Sequence, residues 1–366
     1  MLAKPGIQTI SAYQGGRPVE EVQRELGLAD AIKLASNENP LGPSKHALDA
    51  MADAATSVNF YPDGNAFYLR NAVAESHGVE PEQLLFGNGS SEVLQILGQT
   101  YIAPGDHIVF PQQSFVVYSL MGAIFDARTT TPPMKADTYD LRAIAAAVTD
   151  ETKLVLIANP NNPTGTYVTK AQLDAFFDAI PSSPLVVLDE AYFEYVDRHD
   201  YPDGLDYVRA GRNVIVTRTF SKAYGLAGLR VGYGVASVDV VEMMNRARPP
   251  FNVNALAQAA ALAALEDVAH VDRSREVNAA GMDYLTSALS GLGVAYVPSV
   301  ANFLLVHLAR DGRSVTEALT RRGVIVRPMQ AYAYPHSVRV TVGTAAQNER
   351  FISALGEVLA EIPEAS

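Results

Sequence analysis

Short apolar runs alternate with amphipathic helical patterns along most of the chain. The runs typical of buried strands are His107–Phe110, Leu154–Ala158, Leu185–Leu188, Val214–Thr217 and Val231–Val235. Helical periodicity predicts helices over Ser91–Ile102, Asp140–Val148 and Thr169–Ile180, the last with Thr169 as a candidate N-cap. Alternation of this kind is typical of a mainly parallel sheet with helices on both faces, so we expect an α/β fold.

The pattern changes in the last third of the chain. An apolar helix is predicted near 255–265, and a long charged helical pattern follows from Val268 to Leu289. The remaining predicted elements are strand Phe303–His307, helix Val315–Arg322, strands Val324–Arg327 and Val338–Val342, and a last helix from Asn348. We therefore expect a smaller α+β domain at 271–366, a large domain at 41–270, and an N-terminal arm at 1–40 that crosses both.

Composition narrows the class of protein. Of the 366 residues, 48% are hydrophobic and 19% are charged, which is ordinary for a globular chain. The net charge of −12 argues against nucleic acid or an anionic membrane surface as a partner. The chain has no cysteine, which excludes disulfides and thiolate metal sites, and we assign no metal site. The apolar run Ala255–Leu265 is too short to cross a bilayer, so we expect a soluble cytoplasmic protein.

Lys222 carries the most specific chemistry. It follows Ser221 just beyond the apolar run Val214–Val216, and Arg230 lies eight positions further on. A strand that ends in Ser-Lys places an amine at the edge where open α/β sheets bind ligands. Such an amine can form a Schiff base with an aldehyde, while serine and arginine donors hold a phosphate. These features together suit pyridoxal 5'-phosphate.

The segment Leu185–Tyr192 is a buried type of strand that ends in two acids and a tyrosine. A carboxylate in that place is costly to bury unless it is paired. A helix cap or a metal ligand would explain the segment in isolation. Pyridoxal phosphate offers a further explanation, since a carboxylate at Asp189 would keep the pyridine nitrogen protonated, and the Tyr192 phenol would reach the ring hydroxyl.

Three other segments are ambiguous when each is taken alone. Asn159–Gly165 has the composition of a rigid turn, but it would also fix an asparagine amide at a strand end. Phe86–Glu92 leads into a helix and suits either a cap or a phosphate site. Phe115 and Tyr118 have helical spacing, which is more often a core pair than a cofactor platform.

The order of these motifs resembles one family of enzymes. Ser-Lys-x₇-Arg, Asn-Pro-Thr-Gly and Asp-Glu-Ala-Tyr resemble the pyridoxal phosphate-dependent aminotransferases of fold type I. More narrowly, the chain from about residue 5 to residue 355 is similar to the histidinol-phosphate aminotransferase family. The segments that carry this narrower resemblance are Tyr13–Arg17, Leu34–Gly42 and Tyr61–Gly64.

The resemblance implies a role for each site residue. It makes Lys222 the Schiff-base lysine and Asp189 the partner of the pyridine nitrogen. Its other implied cofactor contacts are Asn162 and Tyr192 at the ring hydroxyl, Phe115 on the ring face, Ser90, Ser91, Ser221 and Arg230 at the phosphate, and Tyr61 of the neighbouring subunit at that same phosphate. Its implied substrate contacts are Tyr13, Asn37, Arg327 and Arg339. Phe115 and Ser91 depart from the commonest family pattern, which has tyrosine and an acid there.

The reaction implied by the resemblance is a ping-pong transamination in a homodimer with shared sites. Glutamate and 2-oxoglutarate would exchange an amino group with imidazole-acetol phosphate and histidinol phosphate, as in histidine biosynthesis. Three alternatives stay open: an aminotransferase of aromatic amino acids, a pyridoxal phosphate-dependent decarboxylase of a phosphorylated amino acid, and a non-catalytic regulator. Turnover that depends on a 2-oxo acid separates the transaminases from the decarboxylase.

Overall fold

The computed structural model of the chain describes residues 3–12 and 15–364. In this part of the chain the α-helices are α1 (Pro5–Gln8), α2 (Val19–Leu26), α3 (Lys45–Ala55), α4 (Phe67–His77), α5 (Ser90–Tyr101), α6 (Val116–Ile124), α7 (Leu141–Ala147), α8 (Lys170–Ala179), α9 (Leu205–Arg209), α10 (Val238–Ala247), α11 (Ala255–Glu266), α12 (Val268–Gly291), α13 (Gly312–Arg321) and α14 (Ala345–Glu361). The strands are β1 (Ile32–Lys33), β2 (Leu84–Gly87), β3 (His107–Val109), β4 (Arg128–Thr130), β5 (Met134–Lys135), β6 (Thr138–Tyr139), β7 (Thr152–Ala158), β8 (Leu185–Asp189), β9 (Val214–Thr219), β10 (Gly232–Val235), β11 (Ala295–Val297), β12 (Phe303–His307), β13 (Val324–Ile325), β14 (Arg327–Pro328) and β15 (Ser337–Thr341).

The main sheet has the strand order β2-β10-β9-β8-β7-β3-β4. The strands from β9 to β4 run parallel, and β10 is antiparallel to both of its neighbours. Every residue of β8 and β9 is buried, which explains their continuous apolar runs, since helices must cover both faces. The α/β fold class is confirmed. The carboxyl ends of β2, β7, β8 and β9 all lie at one edge of this sheet.

A smaller antiparallel sheet has the order β11-β12-β15-β14 and packs against α12, α13 and α14 through a separate apolar cluster. The single strand predicted over Val324–Arg327 is wrong. Val324 and Ile325 pair with β1 in the N-terminal arm, whereas Arg327 pairs with Arg339 in the small sheet. At Val326 the chain passes from pairing with β1 to pairing with β15. The continuous apolar run in the sequence does not indicate this change of strand partner.

Polar caps set the helix ends. Thr169 caps α8 and forms a capping box with Gln172, as the sequence predicts. The last helix begins at Ala345, three residues before the predicted Asn348, because Thr344 and Gln347 form a second capping box. The elements not predicted from the sequence are α1, α2, α3, α4, α9, α10, β1, β2, β4, β5, β6 and β11.

The N-terminal arm contacts both parts of the molecule. The amide of Gly6 donates to the Asp126 carboxylate beside α6 at 2.9 Å, and β1 pairs in parallel with β13. Over residues 3–12 and 15–364, no helix has the length and apolar character needed to cross a membrane.

Candidate active site

One pocket of about 910 Å³, counting the solvent at its mouth, opens at the carboxyl edge of the main sheet. The arm and the small sheet form its other walls. The structure brings the following predicted site residues together in its lining: Asn37, Ser90, Ser91, Phe115, Asn162, Asp189, Tyr192, Ser221, Lys222, Arg230, Arg327 and Arg339. Strand ends that meet at one sheet edge therefore gather motifs that are remote in sequence.

Lys222 lies just past the end of β9 and is half-buried. Its Nζ donates to the backbone carbonyls of Ser36 and Asn37, both at 3.1 Å. Burial lowers the pKa of the Lys222 amine to about 7, and the nearby Arg339 guanidinium acts in the same direction. Near neutral pH a large fraction of this amine is therefore unprotonated and able to act as a nucleophile or a base.

Asp189 ends β8 and is only 3% exposed. Its carboxylate accepts hydrogen bonds from the hydroxyls of Thr217 and Tyr118, both at 3.1 Å. Burial raises the Asp189 pKa to about 6, although these hydrogen bonds oppose the shift. The two hydroxyls hold the carboxylate in place without supplying a positive charge.

Sequence reasoning did not assign Tyr118 and Thr217 to the site. The helical spacing of Phe115 and Tyr118 favours a core pair, and Tyr118 is fully buried, with its ring 6.0 Å from that of Phe115. For Thr217, the sequence signal that could have indicated a place in the site was the period-two alternation along β9. This alternation places Thr217 and Thr219 on one face of the strand. For Tyr118 the signal was its spacing of one helical turn from Phe115.

The start of α5 and the turn after β9 form the polar end of the pocket. Ser90 and Ser91 open the helix, where backbone N–H groups are available to an anion. Arg230 donates to the Ser221 hydroxyl at 3.3 Å. Gly89 has a φ of 74°, and a Cβ there would lie 2.6 Å from the Arg230 guanidinium, so the close approach requires glycine.

Asn37 joins the arm to both sheets. Its side-chain amide donates to the Tyr192 hydroxyl at 2.9 Å, and its backbone N–H donates to the Thr341 hydroxyl at 2.9 Å. Its φ of 56° lies in the left-handed region, which asparagine tolerates better than most residues. This conformation lets its carbonyl accept from Lys222 and from the Asn302 amide.

Arg339 and Arg327 lie opposite each other on the paired strands β15 and β14. Arg339 is buried, and it donates to the Asn162 side-chain oxygen and, at 3.0 Å, to the carbonyl of Ala35. Arg327 is half-buried and lines the same pocket beside Tyr332, a residue that the sequence analysis did not propose. Two guanidinium groups therefore line the pocket on the side of the small sheet.

Tyr61 does not line the pocket of its own chain. Its side chain is 83% exposed, and its ring stacks on Phe251 with 4.8 Å between centroids. The predicted substrate residue Tyr13 lies outside the described residues.

Comparison with known proteins gives a consistent result. The model of the aminotransferase class I and II family matches residues 29–355. The chain is 53% identical to the histidinol-phosphate aminotransferase of Moorella thermoacetica, over 98% of this chain and 93% of that protein. It is 50% identical to histidinol-phosphate aminotransferase 1 of Nitrosococcus oceani, over 98% and 97%. The crystal structure of histidinol-phosphate aminotransferase from Sinorhizobium meliloti in complex with pyridoxal-5'-phosphate is similar, with a TM-score of 0.90, 29% identity and 98% of each chain covered.

Proposed function

The chain belongs to the histidinol-phosphate aminotransferase family within the class I and II aminotransferases, and from this premise we propose the substrates and the residue roles of its reaction. It is a pyridoxal phosphate-dependent transaminase of fold type I. The proposed reaction interconverts histidinol phosphate and 2-oxoglutarate with imidazole-acetol phosphate and glutamate. The observation that carries the proposal is a single pocket that joins Lys222 and Asp189 to the two arginines Arg327 and Arg339.

The residues present fit pyridoxal phosphate. Asp189 is a buried carboxylate whose side-chain partners are two uncharged hydroxyls, so a protonated pyridine nitrogen would supply the missing countercharge. At the other end of the pocket, the close approach of Gly89 and Arg230 forms a cradle for an anion. An amine, an acid and an anion cradle are the three features that this cofactor requires.

Each part of the cofactor has a proposed set of contacts. Asp189 would hold the pyridine nitrogen, and Phe115 would stack on the ring face. The phosphate would be bound by Ser90, Ser91, Ser221 and Arg230. Because the Asn162 side-chain oxygen accepts from Arg339, its amide nitrogen is the group left to donate to the ring hydroxyl, beside the Tyr192 phenol.

The bound cofactor supplies an electron-withdrawing ring that stabilises negative charge on the reacting carbon of the substrate. The protein's task is to move the proton at that carbon. Lys222 is the proposed base, since its pKa of about 7 leaves much of the amine unprotonated at neutral pH, and it would return the proton as the acid. Contacts with the Ser36 and Asn37 carbonyls would hold the amine in the pocket between these two steps.

The substrate end of the pocket must bind a phosphate in one half-reaction and a carboxylate in the other. A guanidinium fork suits both anions, because each offers paired oxygens to two parallel N–H donors. We assign the acidic group of the substrate to Arg339 and the additional charge of a phosphate to Arg327. Asn37 lines the same region, and Tyr13 is proposed as a further phosphate contact.

The active unit is proposed to be a homodimer with shared sites. The segment 58–68 exposes an unusual number of large apolar side chains, namely Val58, Phe60, Tyr61, Phe67 and Tyr68. Such a patch favours burial against another protein surface. In the proposed dimer, Tyr61 completes the cofactor phosphate site of the neighbouring subunit.

The domain limits are also proposed. We assign 1–40 to the arm, 41–270 to the large domain and 271–366 to the small domain, supported by two separate apolar clusters around the two sheets. We propose the cytoplasm as the compartment, because the substrates and products are small charged metabolites.

A substrate panel on the purified enzyme tests the proposal. With 2-oxoglutarate as acceptor, histidinol phosphate should give a higher kcat/KM than phenylalanine or tyrosine. A panel in which the aromatic amino acids win would make the chain an aromatic aminotransferase. Release of carbon dioxide without any need for a 2-oxo acid would instead indicate a decarboxylase.

A further inference from the structure

The two acids at the end of β8 point to opposite faces of the main sheet. Asp189 faces the pocket, whereas Glu190 lies on the far side and is 1% exposed. The Glu190 carboxylate accepts from the Gly204 backbone N–H at 2.7 Å and from Arg218 Nε and Nη2 at 3.0 and 2.8 Å. Of these two neighbouring acids, only Asp189 has a proposed role in the reaction.

The adjacent strand β9 repeats the same alternation. Thr217 hydrogen-bonds Asp189 on the pocket face, and Arg218 binds Glu190 on the far face. Two consecutive residues of β9 therefore hold Asp189, the last residue of β8, and Glu190, the residue that follows it. Lys222 follows Arg218 by four positions, so both proposed catalytic side chains lie close to this double contact.

The far-side contact is closely packed. Arg218 is 1% exposed, its guanidinium lies 3.5 Å from the centroid of the Phe193 ring, and it also donates to Asp203 at 2.7 Å. A Cβ at Gly204 would lie 2.6 Å from the Glu190 carboxylate, so that approach depends on glycine. Although burial lowers the pKa of Arg218, Glu190 and the other nearby acidic groups raise it overall, which keeps the guanidinium charged.

We propose that Arg218 and Glu190 are positioning residues that clamp the ends of β8 and β9 and thereby fix Asp189 relative to Lys222. The inference rests on the roles proposed for Asp189 and Lys222. Neither clamp residue lines the pocket, so each would act through its neighbour on the strand. A displacement of about 1 Å between catalytic groups is enough to slow a reaction about 100-fold.

A role in stability alone is the competing explanation. A buried ion pair is weak evidence for stability, because two apolar residues of similar volume often replace it without loss. Replacing both partners therefore separates the two explanations. The clamp would be lost without leaving either member of the pair as an unpaired buried charge. Asp203 is exposed enough to be hydrated, and the Glu194 carboxyl, whose pKa burial raises to about 7, can take up a proton.

The test compares the wild-type enzyme with the double variant Arg218→Met/Glu190→Met. The matched control is Arg128→Met/Glu151→Met, which removes an exposed pair. Thermal unfolding of the cofactor-free protein, the Kd for pyridoxal phosphate, kcat and KM are measured for each. We expect the clamp variant to unfold within a few degrees of wild type, to bind the cofactor more weakly, and to lose kcat by about 10- to 100-fold with little change in KM. The control should match wild type in all four.

A folded clamp variant with wild-type cofactor Kd and kcat would overturn the inference and leave the pair a structural contact. If the double variant does not fold, Arg218→Lys provides the test, since it keeps the charge and loses the two-pronged fork. Wild-type kcat and cofactor Kd in that variant would likewise overturn the clamp. Failure of the proposed function is distinguishable, because it appears in the wild-type enzyme itself, as a different preferred substrate or as carbon dioxide release without a 2-oxo acid. Failure of the clamp appears only in the comparison of the variants with wild type, for which the cofactor Kd is sufficient.

Discussion

The proposed cofactor end of the pocket, around Asp189, Lys222 and Ser90, and its proposed substrate end, around Asn37 and Arg339, are built in different ways. At the cofactor end, Asp189 and Lys222 follow neighbouring parallel strands, and Ser90 follows β2 at the same sheet edge. At the substrate end, Asn37 comes from the arm and Arg339 from the small sheet. The hydrogen bond between Asn37 and Thr341 spans 304 positions of sequence.

The geometry of the two ends is therefore determined by different interactions. The proposed cofactor end is built on one continuous ladder of backbone hydrogen bonds between β8 and β9, which ends at Asp189 and Thr217, five residues before Lys222. The geometry of the substrate end depends on how the arm and the small sheet pack against the large one. We therefore expect changes at the cofactor end to affect every substrate alike, and changes at the substrate end to discriminate between substrates.

The largest expected effect is at the cofactor end. Lys222→Ala should reduce turnover with every amine by at least about 10⁴-fold, because it removes the amine proposed to bind the cofactor and to act as the base that moves the proton. Single-turnover rates measure this directly. Lys153→Ala, at an exposed position on β7, is the control. Turnover at the wild-type rate in Lys222→Ala would rule out the role assigned to this residue.

Asp189→Ala should come next, with a loss of about 10²- to 10³-fold for all substrates and a largely intact fold. The ring nitrogen would lose the charge that keeps it protonated. Asp189→Asn serves as the matched variant, because it keeps the shape of the side chain and one of its two acceptor oxygens without its charge. Unchanged single-turnover rates in both variants would make Asp189 a structural residue.

A change at the substrate end should discriminate between substrates. Arg327→Ala should lower kcat/KM for histidinol phosphate by about 10- to 100-fold, since one charged hydrogen-bonding partner of the phosphate is lost. The value for phenylalanine should change much less. The control is Arg321→Ala, at an exposed position of α13. An equal loss of kcat/KM for both substrates would show that Arg327 does not discriminate between them. The expected difference between the two ends of the pocket would then be wrong.

Mixing impaired subunits shows whether the cofactor end is shared between two chains. In a hybrid of Tyr61→Ala and Lys222→Ala subunits, one site carries both defects and the other carries neither, so activity should rise part of the way to wild type. A hybrid of Asp189→Ala and Lys222→Ala subunits is the control, because each of its sites keeps one defect. If Tyr61→Ala alone is impaired and its hybrids regain nothing despite proven exchange, Tyr61 serves its own subunit.

The smallest effect concerns the stability of the cofactor-free protein. The pKa of Lys222 falls from 10.5 to about 7 on folding, so between these pH values the unfolded chain binds more protons than the folded one. Wild-type stability should therefore decrease as the pH falls from 10.5 to 7, and Lys222→Met should escape that loss. The Tm of the variant relative to wild type should change by about 6 °C over this range, rising as the pH falls, and stay constant below pH 7. A Tm difference independent of pH would contradict the lowered pKa.

The sequence predicts the residues of the proposed cofactor end from local signals. A buried strand followed by Asp189, or by Ser221 and Lys222, can be recognised from a few adjacent residues. The hydrogen bond from Tyr118 to Asp189 was not predicted. A fully buried helical tyrosine has the same sequence pattern whether or not its hydroxyl contacts a carboxylate.

The sequence by itself determined the α/β class, the strands β3, β7, β8, β9 and β10 of the main sheet and the residues that follow them, because burial and turn chemistry leave a short-range pattern. Only the tertiary structure decided that Asn37 meets Tyr192 and Thr341, that the segment at Val324–Arg327 divides between two sheets, and that Glu190 turns away from the pocket toward Arg218. These contacts join residues far apart along the chain. Packing between separate elements fixes them, and periodicity within one element cannot encode which partner a strand or a side chain will meet.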